Sequence, residues 1–163
     1  MKKIFFALVL SIFTLQNAYG LITVDITRGN LDPLPIAVSP LHVDSKSEKI
    51  SSFETSTLGE EISKIVEKNF KSTGLFNPLK KDSFVQKPDI AHLKPRFEDW
   101  RLIKAQALVT GKLLIIDKKL KVEFRLWDLT AAKEMIALSF TTTPNNWRRV
   151  AHIISDKIYE RLT

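Results

Sequence analysis

Apolar residues recur along this chain with two different periods. Leu58, Ile62, Ile65, Val66 and Phe70 follow one another at spacings of three and four, with Glu60, Glu61, Lys64, Glu67 and Lys68 filling the other positions. This spacing predicts an amphipathic helix to about Ser72, with Thr57 and Glu60 placed as a capping box and Gly74 as the stop. Trp147, Val150, Ala151, Ile154, Ile158 and Leu162 mark a second such face, opposite Arg148, Arg149, Asp156, Lys157 and Glu160. Between them the period falls to two. Leu108, Val109 and the run Leu113 to Ile116 make a dense strand, and Asp117-Lys118 is a tight turn. Leu120, Val122, Phe124 and Leu126 then alternate with Lys121, Glu123 and Arg125, and Ile136, Leu138 and Phe140 repeat the pattern after the turn-like Thr130 to Lys133. Pro144-Asn145-Asn146 separates this meander from the closing helix.

The intervening stretches carry weaker signals. Leu41 to Ser52 is polar and aperiodic and reads as a loop. Leu75 to Leu79 contains Pro78 and reads as an edge strand or turn. From Lys80 to Lys94 the residues are polar, with Pro88 and Pro95 breaking any helix, and Phe97 to Leu102 fits one or two helical turns with Trp100 facing inward. Two amphipathic helices need a common surface to cover. The fold class is therefore α/β (α+β), a mixed β-sheet with an antiparallel meander and two amphipathic helices packed on it.

Ahead of this body, Met1-Lys2-Lys3, the apolar run Ile4 to Leu15 and Ala18-Tyr19-Gly20 have the charged, apolar and small-residue parts of a secretory leader, cut after Gly20. The apolar run is well short of the ~20 residues that span a bilayer. The residues after the cut are patterned for pairing. Beyond Leu21, the residues Ile22, Val24 and Ile26 alternate with Thr23, Asp25 and Thr27, up to Arg28-Gly29-Asn30. Leu31 and Asp32 lead to Pro33 and Pro35, which stiffen the entry to the apolar run Ile36-Ala37-Val38. Residues 21–34 thus read as an arm offered to a partner or as an edge strand of the domain's own sheet, with residues 35–163 as the single domain behind it.

Composition narrows the chemistry. No cysteine is present, so disulfides, lipid attachment through cysteine and thiol nucleophiles are excluded. Losing Lys2 and Lys3 with the leader takes the formal charge from +7 to about +5. In an exported chain whose basic residues are interleaved with Glu and Asp, this points away from nucleic acid. An anionic lipid or lipopolysaccharide surface is the alternative acidic partner. His42, His92 and His152 have no second ligand at metal-binding spacing, no serine sits in a G-x-S-x-G turn, and Gly111-Lys112 lacks the upstream glycine of a phosphate loop. The sequence points to no enzyme, cofactor or metal. Trp100, Trp127 and Trp147 are candidate partner anchors, with burial beneath a helix the expected role.

Three stretches together resemble a known family. They are Ile22 to Pro40, with Gly29 and Pro35-Ile36-Ala37-Val38; Thr73 to Leu79; and Trp147 through His152, Ser155-Asp156, Ile158-Tyr159-Glu160 and Leu162-Thr163. In order and spacing they are similar to the TolB amino-terminal domain family of the Tol-Pal envelope system. The resemblance implies a periplasmic adaptor contributing to outer-membrane integrity and invagination during cell division. It also implies that the first mature residues, Leu21 to Asp32 here, bind an inner-membrane TolA-like partner. In the family a β-propeller that binds Pal follows this domain, and no counterpart of that surface lies in this sequence. The expectation is therefore a fragment or a truncated product.

Overall fold

Both stretches with a helical period form long helices, and the meander forms the strands between them. The computed structural model describes residues 22–25, 32–52 and 54–163. The leader at residues 1–20, together with Leu21 and residues 26–31 of the arm, lies outside the described residues. Strand β1 is Leu34–Val38, β2 His42–Val43, β3 Phe76–Pro78, β4 Ala107–Ile116, β5 Lys119–Asp128 and β6 Lys133–Thr142. Helix α1 is Leu58–Thr73, α2 Pro88–Ala91, α3 Phe97–Leu102 and α4 Trp147–Leu162.

The strands make one mixed sheet in the order β3-β1-β4-β5-β6, with β2 also on β4. β1 runs parallel to β3 and β4, while β4, β5 and β6 are the antiparallel meander. Asp117 and Lys118 both have positive φ, 51° and 57°, as a two-residue hairpin turn between right-twisted strands demands. The Glu48 carboxylate accepts from both of their amides, at 3.1 and 3.4 Å.

On one face α1 and α4 lie against the sheet. Ile62, Val66, Phe70, Val150, Ile154 and Ile158 join Ile36, Val109, Leu113, Leu120, Val122, Phe124 and Leu126 in one buried cluster. Two backbone details set α1 in place. A Cβ at Gly59 would overlap the Leu41 carbonyl oxygen, so glycine lets the first turn touch the chain leaving β1, where Leu41 N donates to Gly59 O at 3.2 Å. Gly74 ends the helix in the left-handed conformation at φ 71°.

The opposite face has a separate, smaller cluster, in which Trp100, Ala91 and Ala105 pack on Ala37, Leu108 and Leu129. It is built by the chain between β3 and β4. At its centre is buried Gln86, whose Oε1 accepts from Arg96 N at 2.9 Å and Trp100 Nε1 at 3.0 Å, while its Nε2 donates to Lys94 O at 3.2 Å.

Several local expectations are corrected here. The capping box is not formed: Thr57 already has helical φ and ψ after a 3-10 turn at Thr55–Thr57, and its hydroxyl donates back to Glu54 O at 3.1 Å. Glu60 instead pairs with Lys64 at 3.1 Å. Leu41 to Ser52 is not all loop, since β2 adds to β4 with His42 opposite Lys112. Pro88 starts a short helix rather than breaking one, because at the first helical position its missing N–H has no intrahelical acceptor to lose. Trp100 is buried and Trp147 nearly so, while Trp127 is half-buried, its ring edge-on to Phe97 and its Nε1 donating to Thr110 Oγ1 at 2.9 Å.

Candidate partner-binding segment

The alternation over Ile22 to Asp25 survives in the fold without a strand. Ile22 is half-buried, Val24 is buried, and Thr23 and Asp25 are exposed, yet these four residues belong to no ladder. Their backbone donors go elsewhere. Val24 N donates to Leu162 O at 2.6 Å, filling one of the carbonyls that the last turn of α4 leaves without an intrahelical partner. Ile22 N donates to Asp128 Oδ2 at 3.0 Å. The reading of this stretch as a strand is therefore corrected over the described residues: a helix end and a carboxylate take the amides that a neighbouring strand would have taken.

Asp128 is the residue that sequence reasoning missed. It ends β5, is fully buried, and holds two amides at once, Ile22 N on Oδ2 and Ala131 N on Oδ1 at 2.8 Å. A carboxylate between Leu126, Trp127 and Leu129 is the available signal, since buried charge demands hydrogen-bond partners. On the far side of residues 26–31, Asp32 and Pro33 are both exposed, and Leu34 turns inward to open β1. A groove of about 310 Å³ runs between the two pieces, lined by Thr23, Val24, Asp25, Asp32, Pro33 and Gln106.

The remaining candidates do not converge on this segment. His42 and His92 stack on each other with centroids 4.6 Å apart and planes 5° from parallel. Exposed His152 meets Asn69 Nδ2 at 3.0 Å, beside the 2.9 Å bond from the same amide to Ser155 that ties α1 to α4. Among the described residues no group of three His, Cys, Asp or Glu side chains is arranged to hold a metal ion. No helix among them is long and apolar enough to cross a membrane.

Part of the basic complement is paired with carboxylates. Lys64 pairs with Glu60 and Glu61, Arg96 with Asp99, Arg101 with Glu98, Lys112 and Lys121 with Glu123, Arg125 with Glu134, and Lys157 with Glu160. Lys121 and Lys112 hold the Glu123 carboxyl below its ordinary range, the Lys121 hydrogen bond contributing most.

Known proteins share this fold, and one relative shares much of the sequence. The model of the TolB amino-terminal domain family matches residues 22–135. The Tol-Pal system protein TolB of Pelagibacter ubique is 64% identical over 149 residues, which are 90% of this chain and 33% of that protein. The crystal structure of TolB from Acinetobacter baumannii superposes with a TM-score of 0.64 at 19% identity, over 87% of this chain and 31% of that one. A PelC dodecamer structure from Paraburkholderia phytofirmans gives 0.51 at 15% identity, over 84% of this chain and 96% of that one. At these identities the structural likeness speaks for the fold. The chain spans about a third of the length of the TolB proteins it matches.

Proposed function

Because the chain belongs to the TolB amino-terminal domain family, we propose that it serves the Tol-Pal system as a periplasmic, non-enzymatic adaptor that binds a TolA-like partner through Leu21–Asp32. In that role it contributes to outer-membrane integrity and to invagination at division. Pal enters the picture only if a propeller accompanies this domain. The observation that carries the reading is the way Ile22–Asp25 is held: outside every ladder, by the Val24 and Ile22 amides. An extended segment of this kind, with apolar residues on one side, suits addition to a partner's sheet, where backbone bonds supply affinity and Ile22, Val24 and Ile26 fix the register.

Release from the domain sets the energetic hurdle. Two net hydrogen bonds at ~1 kcal/mol each and burial of Val24 at ~2 kcal/mol must be given up. A partner strand has to outweigh this ~4 kcal/mol with its own backbone bonds and the burial of three aliphatic side chains, and the expected affinity is micromolar, about −8 kcal/mol.

Calorimetry with the carboxy-terminal domain of a TolA-like protein as titrant tests the proposal. Deleting residues 21–32 is expected to abolish the binding heat. Asp128→Ala keeps the arm intact while removing the acceptor for Ile22 N, and is expected to bind a few-fold more tightly, roughly 1 kcal/mol of anchoring having been removed. Full affinity after the deletion would place the site elsewhere.

A further inference from the structure

The two edges of the sheet are protected very differently. At one, β3 is three residues long and ends in Pro78, the short and proline-bearing form that resists further pairing. At the other, β6 is ten residues long, and no described backbone group bonds to its outer side. From Met135 to Thr143 it carries no charge, proline or glycine. Its one irregularity, opposite Leu126/Trp127, falls near its start, so Ile136 to Thr142 keeps unbroken register with β5. None of the devices that normally blunt an edge is present over that stretch.

The side chains add a second observation. Leu138 faces the helix side, opposite Phe124, and is 39% exposed. Beside it a groove of about 190 Å³ runs between β6 and α4, lined by Phe140, Thr142, Val150 and Ile153. An added strand would complete the ladder and cover both features at once.

We propose that the occupant is a second copy of this chain, its β6 added antiparallel to the first across a two-fold axis at Leu138. Such a contact is isologous, so the strand must be complementary to itself. It is: over the stretch of regular register Leu138 meets the second copy's Leu138, Ile136 meets its Phe140, and Ala137 its Ser139. On the helix side leucine faces leucine and Ile136 faces an aromatic ring, and on the other side the small residues Ala137 and Ser139 face one another. A charge near the axis would meet its own image and oppose pairing, and the nearest charged residues of the strand, Glu134 and Lys133, lie at one end, opposite threonines of the second copy. The groove's charged residue, Arg149, sits in the first turn of α4, past the end of β6 and away from the axis. This self-association is independent of the arm and its partner. It makes the adaptor a pair with two arms, coupled through one continuous sheet.

The absence of cysteine gives a direct test, because a single introduced thiol is unique in the chain. In an antiparallel pair the two copies of residue 138 lie ~5 Å apart, within disulfide reach, whereas residue 136 and its own image are four positions, ~14 Å, from each other, as are the two copies of residue 140. Leu138→Cys is expected to form a covalent dimer under mild oxidation at least ~10-fold faster than Ile136→Cys or Phe140→Cys alone. Mixing the last two should cross-link position 136 of one copy to position 140 of the other. In sedimentation the unaltered chain should shift from one copy to two as concentration rises to ~500 µM, and Leu138→Lys should stay single. A chain that remains single at ~500 µM, or three cysteine variants that cross-link equally, overturns the proposal.

Discussion

On one face of the sheet, α1 and α4 bury Ile62, Val66, Phe70, Val150, Ile154 and Ile158 against alternate residues of every long strand, whereas on the other the chain between β3 and β4 covers Ala37 and Leu108 with Trp100, Ala91 and Ala105, edged by Leu79, Phe84, Phe97 and Ile103. The first face needs only apolar residues at the right period, and many side chains share its stabilisation. The second depends on one polar residue. Gln86 satisfies Trp100 Nε1, Arg96 N and Lys94 O together, and without it three buried or half-buried groups would be left unpaired. The contrast shows that a cover can be legible or hidden depending on whether it is held by repetition or by a single hub.

The strongest way to break this contrast is Ile62→Asp. An unpaired charge at a position with no solvent exposure is expected to cost ~4 kcal/mol or more and to abolish the cooperative melt followed by circular dichroism. A melt unchanged by the substitution would mean that the helix face is not the cohesive one.

Gln86→Leu should cost less, roughly 2–3 kcal/mol, and its effect should be local. Hydrogen exchange is expected to quicken across residues 79–105 while α1 and α4 keep their protection. Equal loss on both faces would show that they unfold as one unit.

The smallest effect lies where the two regions meet. Burial pushes the Glu67 carboxyl above its ordinary value, outweighing Lys81, whose ammonium lies 3.3 Å away. The folded chain therefore holds this proton more tightly than the unfolded one. Its contribution favours folding at low pH and is lost as pH rises from about 4.3, the ordinary carboxylate value, through the raised one. Glu67→Gln should remove that part of the slope, read as the change in urea midpoint between about pH 4 and about pH 7.

Much of the fold was legible because its signals are local. The three-and-four spacing from Leu58 to Phe70 and from Trp147 to Leu162, the alternation from Leu120 to Leu126, Gly74 as a stop and Asp117-Lys118 as a turn each depend on neighbours a few residues away. A period says which side of an element is apolar, whatever it packs on. The capping box failed on the same scale, since the 3-10 turn ahead of α1 had already set Thr57 to helical angles.

Partners distant in sequence were another matter. That Ile22 and Val24 face inward followed from alternation, but that their amides end on Asp128, 106 positions away, and on Leu162 did not. Nor did the sequence pair His42 with His92, or mark Gln86 as the hub beneath Trp100. Apolar burial is non-directional and accepts any apolar neighbour, so a pattern suffices to announce it. A hydrogen bond needs a particular donor and acceptor within about 3 Å, and only the folded chain brings them there.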